Sequence, residues 1–147
     1  MRHRKHNKKF GRSKSHREAL ISMLVVALIK ANSIKTTIDK AKVARQLADK
    51  MVTKAKTKTL ANRRIIASRL RDEEAAKKII EEIAPTFADR AGGYTRITKI
   101  GRRSSDGSEM TVLSWVTEKC VPKAKVAAPA GEAPDTDAVA PAAEPAV

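Results

Sequence analysis

Residues 19–29 read ALISMLVVALI, the most apolar run in the chain. Eleven residues cannot cross a bilayer core, which takes about 20 apolar residues in a helix. Basic residues, then an apolar run, then the small residues Ala31 to Ser33 also outline a secretory leader. Glu18 before the run, Lys30 directly after it and the basic sequence downstream all favour a core helix instead. Ser15 and Glu18 have the spacing of a capping box, which predicts a start near His16 and a stop around Ala31 to Asn32. Apolar residues lie on most sides of this helix, so it is expected to be central to the core.

Upstream, residues 1–17 hold Arg2, Arg4, Lys5, Lys8, Lys9, Arg12, Lys14 and Arg17 with no acid, together with His3, His6 and His16. Phe10 alone could anchor them in a core, so residues 1–14 read as a basic arm that orders on its partner.

Downstream, SIKTTI at 33–38 is rich in β-branched residues and predicts a short strand. Thr37 can cap a second helix with Asp39 in its first turn. Ala41, Ala44, Leu47, Ala48, Met51, Val52 and Ala55 then recur at helical spacing, with Lys40, Lys42, Arg45, Lys50 and Lys54 largely off that stripe. A third helix is expected from Thr59 or Leu60, carrying Arg63 and Arg64 outside and Ile66 and Leu70 inside. Asp72 can cap a fourth, in which Ala76, Ile79, Ile80 and Ile83 face inward. Glu74 with Lys78 and Lys77 with Glu81 are i,i+4 pairs there. Five acids against two bases over 72–88 make it the acidic zone of the folded part, expected to face solvent away from any polyanion. Pro85 ends this helix or opens another short turn.

After a break at Arg90 to Gly93 come two strand candidates, 94–101 and 109–118, joined by RRSSDGS with Asp106-Gly107 as the turn signal. Alternation is imperfect in both, which fits two partly covered faces or an edge strand. From Val121 the composition turns to Ala, Pro and Val with a few acids, which cannot build a core and predicts a disordered tail over 121–147. The expectation is therefore an α+β domain over 15–120. It holds about four helices and roughly three strands.

The net charge is +15. Such an excess opposes compaction unless a polyanion neutralises it, and nucleic acid does so with release of counterions. Only 3% of residues are aromatic, which argues against single-strand recognition by base stacking. Residues 18–71 hold thirteen bases against three acids, a pattern suited to phosphate contacts on folded RNA or DNA. Charge alone does not choose between the two. A DNA-architectural protein would need an apolar wedge, for which Phe10 is the one candidate.

Enzymatic chemistry finds little support. All three histidines sit among positive charges, where they make poor bases and poor metal ligands. Cys120 is the single cysteine, so no disulfide framework or four-cysteine zinc site can form. Gly92-Gly93 fits neither a Walker-type loop nor a dinucleotide fingerprint. It reads equally well as a plain connector or as a turn that lets Arg90 and Arg96 approach RNA. No catalytic residue, cofactor, metal, membrane or small-molecule substrate is expected.

Five segments stand in register across about residues 1–118: MRHRK (Met1–Lys5), SKSHRE (Ser13–Glu18), IKTT with KAK (Ile34–Thr37, Lys40–Lys42), ANRR (Ala61–Arg64) and RAGGYTRI (Arg90–Ile97). Together they resemble the bacterial large-subunit ribosomal protein seventeen family; the tail from Val121 lies outside the resemblance. It implies helices packed on a small mixed sheet, in a cytoplasmic protein within the ribosome that is bound to large-subunit ribosomal RNA and to neighbouring large-subunit proteins. RNA contacts are then expected at Arg2, His3, Arg4, Lys5, His6, Lys8, Lys9, Arg12, Lys14, His16 and Arg17 in and beside the arm. Others are expected at Lys35, Thr36, Thr37, Lys40, Lys42, Arg45, Arg63 and Arg64, and at Arg90, Gly92, Gly93, Tyr94, Thr95 and Arg96.

Overall fold

The computed structural model describes residues 8–116, so the expectations for residues 1–7 and for the tail over 121–147 fall outside the described residues. Four principal helices pack against a three-stranded sheet, an α+β arrangement.

Helix α1 (Lys14–Ala31) starts two positions earlier than expected: Ser13, not Ser15, is the N-cap, and its side chain makes no cap bond. Asn32, in the left-handed conformation, ends the helix. Ser22, Val25, Leu28 and Ile29 are buried, and the Ser22 hydroxyl is satisfied by the carbonyls of Glu18 and Arg69 at 3.0 and 2.8 Å. Apolar residues surround α1, but the domain covers only one side of it. Helices α2 (Ile38–Lys56), α3 (Leu60–Leu70) and α4 (Glu73–Lys78) and strand β1 (Ser33–Thr37) pack there, while Met23 stays 71% exposed. The helix is a wall of the core rather than its centre.

Helix α2 buries Ala41, Ala44, Ala48, Met51, Val52 and Ala55, the stripe its spacing predicts; Leu47 is half-buried. Small residues along that stripe let the sheet and the neighbouring helices approach closely. Thr59 caps α3, its hydroxyl accepting from Asn62 N–H at 3.3 Å, and Ile66 and Leu70 point inward. Asp72 caps α4, accepting from Ala75 N–H at 2.9 Å.

Helix α4 does not run on regularly. Residues Ile79–Ile83 form a π-helical turn, and a last turn, α5 (Ala84–Thr86), carries Pro85. Proline has no N–H to give to the carbonyl four residues back, and its ring crowds that carbonyl. The widened turn relieves this, with Ala84 N–H bonded to Ile79 O five residues back. It also keeps both Ile79 and Ile83 buried. Lys78 donates to the Lys30 carbonyl at 3.2 Å rather than serving only its own helix.

Strand β3 (Glu109–Trp115) is central, between β1 and β2 (Thr95–Arg102). Both pairings are antiparallel, where a mixed sheet was expected. Strands β1 and β2 do run in the same direction, but β3 separates them, so no parallel ladder forms. Thr111 and Leu113 face the helices and are fully buried. The imperfect alternation of β2 is that of an edge strand: beyond Thr95 it is largely exposed, and a bulge between Lys99 and Gly101 shifts its register. Phe87 binds the sheet to the helices, its ring 5.3 Å from that of Tyr94 and 6.1 Å from that of Trp115. Trp115 Nε1 donates to the Leu28 carbonyl at 3.2 Å.

Candidate nucleic-acid interface

The helices cover one face of the sheet, and its register defines the other. Lys35 lies opposite Val112, and Val112 opposite Thr98; Ser33, Ser114 and Arg96 form the next row. These positions alternate with buried Thr111 and Leu113, so they share the outward face. Lys35 and Arg96, far apart in sequence, thus flank the central strand on one surface.

At one end of this sheet the root of the arm is fixed. Lys8 is ion-paired with Asp39 in the first turn of α2. A cleft lined by Phe10, Thr37, Ile38, Asp39, Lys42, Ser108 and Glu109 places Phe10 beside the start of α2 and the hairpin. Phe10 takes a left-handed φ of 56°, and its carbonyl accepts from Arg12 Nη1 at 3.1 Å. Lys9, Lys14 and His16 are exposed, Arg12 and Arg17 partly so. A half-buried Phe10 is no exposed wedge for prising base pairs apart.

Along α2, Lys42 and Arg45 are exposed and Lys40 half-buried. Arg45 Nε stands 3.7 Å from Asp49 Oδ2, and Asp49 Oδ1 accepts from the Thr95 hydroxyl at 3.4 Å. That chain of contacts brings Arg45 to the beginning of β2. About two helical turns beyond Asp49, Lys56 donates to the Arg90 carbonyl, and its ammonium lies 4.8 Å from the centre of the Tyr94 ring.

The loop before β2 is held from within. Arg90 Nη1 donates to the Gly93 carbonyl at 3.2 Å, and the Tyr94 hydroxyl to the Ala91 carbonyl at 3.3 Å. Gly92 and Gly93 are exposed. Tyr94, Thr95 and Thr36, expected at the interface, have buried side chains instead. Tyr94 packs on Phe87, Thr95 serves Asp49, and Thr36 shares its carbonyl with the Thr111 hydroxyl at 3.2 Å. Strand parity turns Thr36 and Thr95 toward the helices, while Tyr94, the residue before β2, is buried by its packing on Phe87.

Arg63 and Arg64 are exposed on α3, which packs on α1, α2 and α4; they form a group apart from the sheet face. Arg2, His3, Arg4, Lys5 and His6 lie outside the described residues.

Two cationic groups escaped the sequence reading. Lys50, Arg69 and Arg71 line a cleft of about 380 Å³ between α1, α2 and α3, with Glu18 at its edge. Only tertiary packing assembles it. Lys99 and Arg102 project on the exposed end of β2 beside Arg103. Arg103 is spoken for: its guanidinium grips Asp106 in two bonds of 2.9 and 2.6 Å. That grip, with the Ser108 hydroxyl and N–H, holds the Asp106 carboxyl well below the usual range. The doublet RR just before SSDG was a usable signal for this basic tip.

Among the described residues no three His, Cys, Asp or Glu side chains gather as a metal site, and no helix is long and apolar enough to cross a membrane. The exposed acids Glu73, Glu74, Glu81 and Glu82 lie on α4 and its π-helical turn.

Residues 20–116 match the family described as Ribosomal protein L17. The chain is also similar to the Large ribosomal subunit protein bL17 of Fusobacterium nucleatum subsp. nucleatum, with 46% identity over 116 residues, covering 79% of this chain and all of the relative. A second relative of the same name, from Methylacidiphilum infernorum (isolate V4), is 46% identical over 122 residues, covering 83% of this chain and 92% of its own length.

Proposed function

The chain belongs to the ribosomal protein L17 family, and on that premise we propose that it is a structural constituent of the bacterial large ribosomal subunit, one that binds and braces folded large-subunit ribosomal RNA. It is a structural protein and not an enzyme. The observation that carries the reading is the match in register with proteins named for the large subunit, along nearly their whole length.

The geometry supplies a mechanism consistent with it. Lys35 and Arg96 on the open sheet face, Lys42 and Arg45 on α2, and Lys9 and Lys14 at the arm present cations at the surface. Each phosphate neutralised releases condensed counterions, which favours binding without reading sequence. Spread over a rigid fold, such contacts select the shape of an RNA surface rather than its bases. The arm residues Arg2 to Lys5 add phosphate contacts of the same kind. Neighbouring large-subunit proteins complete the surroundings, and the site of action is the ribosome in the cytoplasm.

Sedimentation tests this. Tagged protein should travel with the large subunit through a sucrose gradient and stay with it after a moderate salt wash. Co-migration with nucleoid DNA would instead support an architectural DNA-binding role.

A further inference from the structure

Two adjacent glycines in the turn before β2 have different reasons to be glycine. Gly93 has a φ of +68°, a left-handed conformation in which a side chain is strained. The backbone conformation of the fold itself favours glycine there. Gly92 has no such conformation, and a Cβ built on it would meet nothing within 4 Å. Neither backbone geometry nor packing in the isolated domain calls for glycine there.

Slackness does not explain Gly92 either. The carbonyls of Arg90, Ala91 and Gly93 are bonded to the side chains of Lys56, Tyr94 and Arg90. The Tyr94 ring is buried against Phe87. Residues on both sides of Gly92 are therefore pinned to the domain. The amides of Ala91, Gly92 and Gly93 behave oppositely: they find no acceptor among the described residues, and all three residues are exposed. The carbonyls of Ala91 and Gly93 are taken, while all three N–H groups remain available.

Consecutive free amides at a bend in the backbone form a seat for an anionic oxygen, and backbone N–H groups are common phosphate donors in nucleic-acid complexes. We propose that the Ala91–Gly93 turn seats one phosphate of the RNA backbone through its amides, and that Gly92 lacks a side chain so that the phosphate can come within bonding distance. This rests on the RNA-binding reading above and gives one of its contacts an atomic form. It assigns Gly93 to the fold and Gly92 to the partner.

The test uses the full chain and transcribed large-subunit ribosomal RNA, with affinity measured at several salt concentrations and thermal unfolding measured separately. Gly92→Ala should unfold at the same temperature as the parent or slightly higher, since alanine restricts the unfolded chain. Its RNA affinity should fall about tenfold, the size of one hydrogen bond to a charged group. The dependence of log affinity on log salt should keep its slope, because a neutral amide releases no counterion from the phosphate. Gly93→Ala should lower the unfolding temperature. Parental affinity for Gly92→Ala overturns the proposal. So does a loss of affinity with a lowered unfolding temperature, which would make Gly92 a folding residue. A slope shallower by about one would mean that the methyl displaces a cation, and would overturn it too. If the parent chain does not bind this RNA, the broader reading fails along with the proposal. If only Gly92→Ala is silent, the proposal fails alone.

Discussion

Lys30 Nζ stands 2.8 Å from Asp72 Oδ2, while the other oxygen of the same carboxylate caps α4 by accepting from Ala75 N–H. One side chain thereby joins the last turn of α1 to the first turn of α4. The Lys30 hydrogen bond, aided by the Ala75 amide, holds the Asp72 carboxyl below its ordinary range. The same hydrogen bond pushes Lys30 upward.

The two roles of Asp72 can be separated. Asp72→Asn keeps a good cap and loses the ion pair; Asp72→Ala loses both. The alanine variant should be less stable than the asparagine variant by about 1 kcal/mol, the typical worth of a cap. A depressed carboxyl stabilises the fold above its unfolded value and loses that contribution as pH falls through its folded value. A raised lysine contributes below its unfolded value and loses it as pH rises through its folded value. The stability gap between the parent and Asp72→Asn should therefore be flat near neutrality. It should shrink below about pH 4 and again above about pH 10.4. Urea midpoints across that range measure it, and equal midpoints for the two variants at neutral pH would refute the capping role.

Tyr94 illustrates a residue whose neighbours in sequence mislead. It lies in RAGGYTR, yet its ring is buried and its hydroxyl bonds the Ala91 carbonyl at 3.3 Å. Tyr94→Phe should keep the packing and cost at most about 1.5 kcal/mol, the net worth of one hydrogen bond. Tyr94→Ala should cost about 3–5 kcal/mol through the cavity it leaves. The folded phenylalanine variant should bind RNA almost as the parent does. A large affinity loss at parental stability would show that the hydroxyl meets RNA directly.

Much of the fold was legible because burial and periodicity coincide. The alanine-rich stripe of α2 and the caps at Thr59 and Asp72 are local signals, and each element formed where those signals stood. The π-helical turn was not legible. Its cause is Pro85, but whether proline ends a helix or widens it depends on whether Ile79 and Ile83 both have cores to enter. The exposure of Met23 was equally hidden, since an all-apolar helix carries no mark of its uncovered side. For the interface, lysines and arginines were visible as charges but not as a surface. That Lys35 and Arg96 share a face follows from the order β1-β3-β2, which sets two strands about sixty residues apart on either side of β3.

Lys35 permits a quantitative check of the electrostatic mechanism. Its side chain is exposed on an edge strand, so Lys35→Ala should change stability by no more than about 0.5 kcal/mol. If it neutralises one phosphate, the slope of log affinity against log salt should become shallower by about 0.9. Titrations with large-subunit ribosomal RNA at several salt concentrations give that slope. An unchanged slope would remove Lys35 from the interface.

The tip of the β2–β3 hairpin offers a sharper contrast, because two adjacent arginines there differ in commitment. Arg103 is held by Asp106 in two short bonds, and the Gly107 N–H closes the loop on the Arg103 carbonyl at 2.9 Å. Its charge is neutralised within the loop before any phosphate arrives. Arg102 is exposed at the end of β2, opposite Glu109 in the register. If the hairpin reaches into RNA, Arg102→Ala should lower the salt slope by close to one phosphate's worth, at unchanged stability. Arg103→Ala should act differently. It frees Asp106, adding an unpaired negative charge at the tip, so affinity should fall at low salt and recover relative to the parent as salt screens the repulsion. Asp106→Asn separates the causes: it releases Arg103 and removes the acid together, and should strengthen binding at low salt while loosening the loop. Identical salt profiles for Arg102→Ala and Arg103→Ala would mean that the ion pair does not persist in the complex, and that both arginines meet phosphate alike.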